Sequence, residues 1–256
     1  MISVAGQPYD ISGIIGEYPA RSIERQLLNT MSNSSGTYQY DNLDQLRFEV
    51  RLRKEIVNAS VELNRSYFSF AVFRNSRANP EYWDRTTNGG FRLKRGAKPS
   101  EAIRDILVNG AEYATECATA MMIVYYIALL NVYSEDLFNR VFPQIYLMNW
   151  HSLDPLLREA GLPVEVTDIL IGDRGYFNNP DVSPETPELQ GENVIVLPNE
   201  LYYGHGIGIT TADAIIQILN NNRKEGATRS AYFMNTAARP DFKRLADVYL
   251  NRTQAA

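Results

Sequence analysis

The spacing of apolar residues predicts helices in the first half of the chain and short strands in the second half. Residues 1–45 end in the turn-prone cluster NTMSNSSGTYQYDN and are interpreted as loop-rich. Between Leu43 and Leu63, apolar residues recur at three- and four-residue spacings, which predicts an amphipathic helix. Asp41 or Asn42 precedes this helix as a candidate cap.

Two further helices are predicted before the chain reaches its middle. The stretch from Pro99 to Gly110 has a proline at its start and a glycine at its end, an arrangement typical of a short helix. Residues 118–130 are apolar apart from Thr119, which predicts a helix buried on nearly all sides. These 13 residues fall short of the ~20 that a membrane-spanning helix needs, so no membrane partner is predicted.

The remaining patterns predict strands and turns. Residues 78–100 are polar and locally basic, and predict an exposed loop or hairpin that turns at Asn88-Gly89-Gly90. After residue 142, short β-rich runs predict strands: QIYLMNW, VTDILIGD, NVIVLP, LYYGHGIGI and RSAYFMN. Helices are predicted at 211–226 and 241–250. Helices first and strands afterwards indicate an α+β fold, with a central helix against a mostly antiparallel sheet.

Composition favours one globular domain, residues 1–256. Hydrophobic residues make up 45% of the chain and charged residues 21%, and the net charge is −5. This acidic balance argues against a nucleic-acid partner. The N-terminus lacks a cationic segment followed by an apolar run, so synthesis in the cytoplasm is expected. No spacing of histidine, cysteine and carboxylate residues fits a metal site, and neither a metal nor another cofactor is predicted.

The only cysteine, Cys117, stands where the apolar helix begins. A thiol at the first turn of a helix feels the positive end of the helix dipole, which lowers its pKa and favours the nucleophilic thiolate. The alternative is a small core residue, because free cysteine is among the most buried residue types. The adjacent Glu116 opposes thiolate formation unless its carboxylate is turned away or acts as the base.

Three other residues are candidates for the same site. His151 and His205 lie within or beside predicted strands and follow the cysteine, as the histidine does in papain-like enzymes. For each histidine taken singly, a hydrogen-bonded structural role fits the sequence at least as well as a catalytic one. Glu192 lies where a proline-rich loop enters a predicted strand, a place where a glutamate is usually a solvated charge.

Longer motifs narrow the choice of family. The stretches YATECATAMMIVYYIALL, GENVIVLP, YYGHGIGI and GATRSAYFMNTAAR occur in this order, with AIRDILVNG upstream and NWH between. Together they resemble the bacterial spore-coat protein-glutamine γ-glutamyltransferases, small calcium-independent transglutaminases of spore-forming bacilli. The similarity covers residues 43–240. GDRGYF resembles the wider papain-like group of cell-wall peptidases, so the resemblance implies a papain-like core at 111–256 and a helical extension at 1–110.

The resemblance also implies roles for individual residues. Cys117 matches the nucleophile of the family, Glu192 the carboxylate paired with it, and Glu116 a second glutamate that shares this role. His205 matches a histidine with a supporting role. Burial in a tunnel raises the pKa of a glutamate, so a largely neutral pair of thiol and carboxyl groups is expected at rest.

The implied substrate tunnel has aromatic walls. Trp150 matches one wall, and Phe73 is a candidate for another. Before Glu192 the family carries a tryptophan, whereas this chain has Leu189-Gln190. The tunnel is therefore expected to be wider or differently shaped near Leu189.

The implied reaction joins proteins through ε-(γ-glutamyl)lysine bonds, with release of ammonia and without a cofactor. Its partners would be coat proteins bearing glutamine and lysine, with synthesis in the sporulating mother cell and final location in the spore coat. One alternative is a papain-like cell-wall cysteine peptidase or amidase, although the missing export signal and the GEN motif argue against it. Another is a non-catalytic coat scaffold, which the 16 Tyr and 10 Phe residues would suit.

Overall fold

The computed structural model describes residues 1–150 and 152–251. Its helices are α1 (Ser12–Ile15), α2 (Ile23–Asn33), α3 (Leu43–Arg65), α4 (Pro99–Val108), α5 (Cys117–Val132), α6 (Glu135–Val141), α7 (Ala212–Asn220) and α8 (Phe242–Asn251). Its strands are β1 (Ile2–Val4), β2 (Gln7–Pro8), β3 (Tyr38–Tyr40), β4 (Ser69–Phe70), β5 (Trp83–Arg85), β6 (Phe91–Leu93), β7 (Ala114–Thr115), β8 (Tyr146–Leu147), β9 (Val164–Glu165), β10 (Arg174–Asn178), β11 (Gly191–Val196), β12 (Leu201–Gly204), β13 (Gly208–Thr211), β14 (Tyr232–Phe233) and β15 (Thr236–Ala237).

The helices with a regular apolar period were predicted correctly. Helix α3 begins after Asn42, whose side-chain oxygen accepts a hydrogen bond from the N–H of Gln45 at 3.0 Å. Helix α4 begins at Pro99, and α5 is buried along nearly its whole length. Among the described residues, no helix has the length and apolar character that crossing a bilayer requires.

The interpretation of residues 1–45 as loop-rich was wrong. Helix α2 begins after Ser22, whose hydroxyl accepts a hydrogen bond from the N–H of Arg25. One face of this helix buries Leu28 and Met31 in a small core that α3 completes. Because the opposite face of α2 is polar, its apolar residues are sparse, and the turn-prone residues around it dominate the pattern.

The predicted hairpin at 78–100 is confirmed. Strands β5 and β6 pair antiparallel on either side of the Asn88-Gly89-Gly90 turn. The hairpin is anchored to the protein, since Trp83 and Phe91 are both buried in the main core. Gly89 has a φ of +90°, and a Cβ at this position would lie 2.3 Å from the carbonyl oxygen of Phe73, so glycine is required there.

The largest sheet is antiparallel, in the order β13-β12-β11-β10-β14. On one face, Val194 packs with Ile215 of α7, and on the other, Ile195 belongs to the main core with α5. The predicted α+β class, with a central helix against a mostly antiparallel sheet, is confirmed. The finer papain-like description stays a prediction.

Two predicted boundaries were wrong. Residues 166–173 form no strand, and β10 begins only at Arg174. The apolar run there places Leu170 in the small core beside α2, so its hydrophobicity stabilises a loop rather than a strand. Helix α7 ends at Asn220, well before the predicted stop at Gly226.

Buried ions tie α3 to the start of the large sheet. Arg53 is fully buried and donates hydrogen bonds of 2.8 Å to both Glu49 and Asp173. Asp173 also accepts two hydrogen bonds of 2.7 Å from Arg239. Burial alone would raise the pKa of Asp173, but Arg53 and Arg239 outweigh it and hold this pKa below its usual range.

Replacing Asp173 with Asn keeps the shape of the side chain but leaves Arg53 and Arg239 without their shared carboxylate. We expect the free energy of unfolding to fall by about 3–5 kcal/mol at neutral pH, the usual cost of breaking a buried ion pair. Urea unfolding followed by circular dichroism measures this change, with the exposed Glu225→Gln as control.

The effect of Asp173→Asn should depend on pH. Because the folded pKa of Asp173 lies below its unfolded value of 3.8, its contribution is complete above 3.8 and is lost as the pH falls through the folded pKa. The difference between wild type and variant should therefore shrink in acid. An unchanged unfolding midpoint at neutral pH would contradict this account.

Candidate active site

Cys117 is the first residue of α5, and its side chain lies in the wall of a cavity of about 790 Å³. Strand β7 leads directly into the helix and pairs in parallel with β4, whose Phe70 also lines the cavity. The lining is mainly apolar. Cys117 is therefore a partly exposed residue of a cavity wall and not a small residue of the core.

The carboxylate of Glu116 caps α5. It accepts hydrogen bonds from the N–H groups of Ala118 at 2.6 Å and Thr119 at 2.8 Å, and from the Thr119 hydroxyl. Burial raises the pKa of Glu116, although these hydrogen bonds favour its charged form. Its negative charge sits at the positive end of the helix and opposes the effect of the helix dipole on the neighbouring thiol.

The position of Cys117 at the helix start does not give it a lowered pKa, which agrees with the neutral thiol expected from burial. Burial, followed by the charges of Glu192 and Glu116, raises this pKa to about 12, against the hydrogen bonds from Asn193. The thiolate is the nucleophilic form. At neutral pH the resting group is therefore the thiol.

Glu192 lies on β11 and is only 3% exposed, so it is not a solvated charge. Burial and the nearby Glu116 raise its pKa well above the usual value, while the backbone N–H of His205 opposes this shift. Its Oε1 atom has no hydrogen-bond partner among the described residues. A Cβ at Gly204 would lie 2.9 Å from Oε1, so the missing side chain there makes room for the carboxyl group.

His205 is buried and held on both sides of its ring. Its Nε2 donates to the carbonyl oxygen of Ser69 at 3.1 Å, Nδ1 accepts from the hydroxyl of Tyr203 at 3.3 Å, and the ring stacks on Phe68. Burial lowers the pKa of His205 to about 4, so the ring is neutral at physiological pH. The other candidate, His151, lies outside the described residues.

Both aromatic candidates for the tunnel line the cavity. Trp150 follows Asn149, whose backbone N–H donates to the Thr119 hydroxyl at 2.8 Å and so links this wall to α5. Phe73 lies in a short 3₁₀ helix, and its carbonyl oxygen accepts a hydrogen bond from Arg85 at 2.9 Å. The structure therefore brings both aromatic residues to the cavity that contains Cys117.

Leu189 does not line the cavity. It packs instead beside the cluster of Phe177 and Val194, whereas its neighbours Glu188 and Gln190 line the cavity. The chain here forms a single turn of 3₁₀ helix, which directs consecutive side chains to different sides.

Two residues of this site were not among the candidates. Arg174 lines the cavity with its guanidinium 4.6 Å from the ring centre of Trp150, and Asn193 donates from Nδ2 to Cys117 Sγ at 3.4 Å. No short-range pattern identifies either residue, because their placement depends on the register between β10 and β11. Side chains alternate between the faces of a strand. Asn193 therefore emerges on the face opposite that of Glu192.

A thiol at the start of a buried helix, beside a buried glutamate and open to an apolar cavity, is typical of enzymes that pass through a covalent thioester. Residues 1–249 match the family model described as protein-glutamine gamma-glutamyltransferase, and the chain belongs to this family. It is thus an acyltransferase of the transglutaminase class. The resemblance seen in the motifs is confirmed.

Relatives and a solved structure support the family over most of the chain. A protein-glutamine gamma-glutamyltransferase from Halalkalibacterium halodurans is 39% identical over 242 residues, covering 93% of this chain and 82% of the relative. One from Bacillus cereus is 42% identical over 232 residues, covering 89% and 82%. A transglutaminase structure from Geobacillus stearothermophilus, without its C-terminal extension, has a TM-score of 0.77 and 47% identity, covering 81% of this chain and 98% of that chain.

The raised pKa of Cys117 predicts an unusual alkylation profile. Because only the thiolate reacts, the rate with iodoacetamide should rise about tenfold per pH unit between about pH 7 and pH 10 without a plateau. Glu192→Gln removes a negative charge that disfavours the thiolate, so it should lower the pKa of Cys117 and accelerate alkylation. Mass spectrometry of the single cysteine measures both rates.

The exposed Glu185→Gln serves as the control for a charge removed outside the cavity. It should leave the alkylation profile of the wild type unchanged. A plateau below pH 9 in the wild type, or identical profiles for wild type and Glu192→Gln, would contradict the electrostatic account.

Proposed function

We propose that this protein joins glutamine and lysine side chains of other proteins, with Cys117 as nucleophile and Glu192 as the principal base. The supporting observation is that a buried glutamate with a raised pKa interacts electrostatically with a thiol that opens to an apolar cavity. A carboxyl group whose pKa is shifted toward that of its partner exchanges a proton in both directions more readily.

Acylation follows from this pairing. The thiol proton moves to the Glu192 carboxylate while Sγ attacks the γ-carbonyl carbon of a glutamine, so that an S–C bond forms and the C=O electron pair moves onto oxygen. Glu192 then transfers the proton to the nitrogen. The C–N bond breaks as the C=O bond forms again, ammonia leaves, and a γ-glutamyl thioester remains on Cys117.

Transfer to lysine reverses the same proton movements. A neutral ε-amine attacks the thioester carbon, Glu192 accepts its proton, and the C–S bond breaks as the proton is delivered to sulfur. Water is the competing nucleophile, and its attack yields only glutamate. The apolar walls that Trp150 and Phe73 contribute disfavour water at the thioester and suit the alkyl chains of both substrates.

Glu116 and His205 are assigned supporting roles. Hydrogen bonds from the first turn of α5 hold the Glu116 carboxylate in place, which makes it a poorer proton carrier than Glu192. Ser69 and Tyr203 engage the ring of His205, and its backbone N–H favours the charged form of Glu192. Both ring nitrogens of His205 are therefore occupied by Ser69 and Tyr203, which argues against the Cys-His catalytic pair that a cell-wall peptidase uses.

The substrates and location follow from the resemblance of the motifs to spore-coat enzymes. We assign coat proteins that expose glutamine and lysine as substrates and the spore coat as the final location. A single catalytic domain acts in this proposal, because Ile56 of the N-terminal part and Ile123 of α5 share one core. Coat extract from cells lacking this enzyme, incubated with the purified protein, should yield new cross-linked species.

The direct test of the reaction is Cys117→Ala. This variant should form no isopeptide bonds between a glutamine-bearing and a lysine-bearing protein, because the thioester cannot form. Mass spectrometry detects each cross-link as the loss of one ammonia. The control variant Glu225→Gln should behave as the wild type. Cross-linking by Cys117→Ala would show that Cys117 is not the nucleophile.

Replacing each glutamate with glutamine distinguishes the catalytic roles of Glu192 and Glu116. Glu192→Gln should lower the rate of ammonia release about 10²-fold or more, the usual contribution of a positioned base. Glu116→Gln retains one of the two oxygens that accept the helix-capping hydrogen bonds, so we expect a loss below about tenfold. The opposite ranking of the two variants would transfer the role of principal base to Glu116.

A further inference from the structure

Asn193 lies between the thiol of Cys117 and the guanidinium of Arg174. It is 4% exposed and lines the same cavity as both residues. Its Nδ2 donates to Cys117 Sγ at 3.4 Å, and its Oδ1 accepts from Arg174 Nη1 at 2.8 Å. The side-chain amide therefore connects a cation to the nucleophile.

The orientation of this amide is determined by chemistry. A guanidinium carries only donors, so the atom of Asn193 that contacts Arg174 must be the oxygen. The nitrogen then points toward Cys117. The charged donor also polarises the amide, because hydrogen bonds in a chain strengthen one another, and this makes its N–H a better donor.

Arg174 is itself held firmly. It is 4% exposed, its Nε donates to the carbonyl oxygen of Ala160 at 3.1 Å, and its guanidinium stacks on Trp150. Among the described residues it has no carboxylate partner, and its Nη2 atom is buried without a hydrogen bond. A buried cation with a fixed plane therefore directs its charge toward the amide of Asn193.

The first turn of α5 supplies only one further donor near the thiol. The carboxylate of Glu116 occupies the N–H groups of Ala118 and Thr119. In that turn, the backbone N–H of Cys117 is therefore the remaining donor close to Sγ. Acyl transfer requires donors around the oxygen that becomes charged, and a second one must come from outside the helix.

We propose that the Asn193 side-chain amide is this second oxyanion donor and that Arg174 is the positioning residue that orients it. As Sγ bonds to the γ-carbonyl carbon, the C=O electron pair moves onto oxygen, which then accepts hydrogen bonds from the Cys117 N–H and from Asn193 Nδ2. Both hydrogen bonds weaken when the C–N bond breaks and the neutral carbonyl group forms again. This inference rests on the proposed acyl transfer.

Two reactions of the same thiol separate this role from simple support of the thiolate. Acylation by a glutamine dipeptide, followed by ammonia release in a single turnover, develops an oxyanion. Alkylation by iodoacetamide displaces iodide at a saturated carbon and develops none. An oxyanion donor therefore affects the first reaction selectively.

Asn193→Ala should lower the acylation rate about 10²- to 10³-fold, the usual effect of losing one such donor. Its alkylation rate should change by less than about tenfold, since the thiol remains. Equal losses in both reactions would overturn the proposal. If Asn193→Ala does not fold, Asn193→Leu fills the space of the side chain without a donor and without a new charge beside the thiol, and the same comparison of the two rates decides the question.

Arg174→Lys tests the positioning role. Lysine keeps the charge but lacks the planar fork that bonds both Ala160 and Asn193, so acylation relative to alkylation should fall about tenfold or more. In the Asn193→Ala background the same change should have little further effect, because Arg174 acts through Asn193. Full additivity of the two losses would show that Arg174 acts independently.

Asn178→Ala is the matched control. It removes an asparagine from the neighbouring strand β10 whose Nδ2 donates to the Tyr232 hydroxyl, away from the thiol, so both rates should equal those of the wild type. The wild-type rate of ammonia release tests the proposed function, and the ratio of the two rates in the variants tests the oxyanion assignment. The two proposals can therefore fail separately.

Discussion

Shared burial of the Cys117 thiol and the Glu192 carboxyl is the constraint on which the site depends. Both groups are desolvated, which raises both pKa values, and the charge of Glu192 raises the pKa of Cys117 further. Glu116 adds to this effect, because its carboxylate caps the helix end that would otherwise stabilise a thiolate. A weak base and a weak acid thereby become a pair that exchanges one proton. A solvated glutamate would lack this property, since its pKa would lie far below that of an unperturbed thiol.

The buried ion network and the cavity are linked by the consecutive residues Asp173 and Arg174. Asp173 bonds to Arg53 of α3 and to Arg239, while the next residue, Arg174, faces the cavity and bonds to Asn193. The same alternation recurs on β11, where Asn193 contacts the thiol and Glu192 emerges on the opposite face of the strand. Stability and chemistry therefore depend on the same register between β10 and β11. A slip by one residue would exchange the side chains that face the cavity for those that face the opposite side.

The spacing of apolar residues predicted the helices that this spacing alone defines. Helices α3 and α5 could be recognised because their apolar residues follow a helical period or fill the helix entirely. The neutral thiol of Cys117 could be expected from burial, but the sequence does not reveal that the Glu116 side chain caps the positive end of the helix dipole. Arg174 and Asn193 required the strand register, which no short-range pattern contains. Leu170 was misread for the same reason, because the strand pattern does not distinguish a strand from an apolar loop packed in a core.

A neutral thiol at rest has a consequence for the chemistry of a lone cysteine. Reaction of a thiol with oxidants and adventitious electrophiles follows its thiolate content, which is very small at neutral pH when the pKa is about 12. The same burial that lowers this background reactivity also disfavours the thiolate needed for attack on an amide. Proton transfer to Glu192 resolves the conflict, since the charge appears on sulfur only as the bond to carbon forms. Reactivity then depends on a carbonyl group being held at Sγ, and an apolar cavity that orients the alkyl chain of a glutamine supplies that condition.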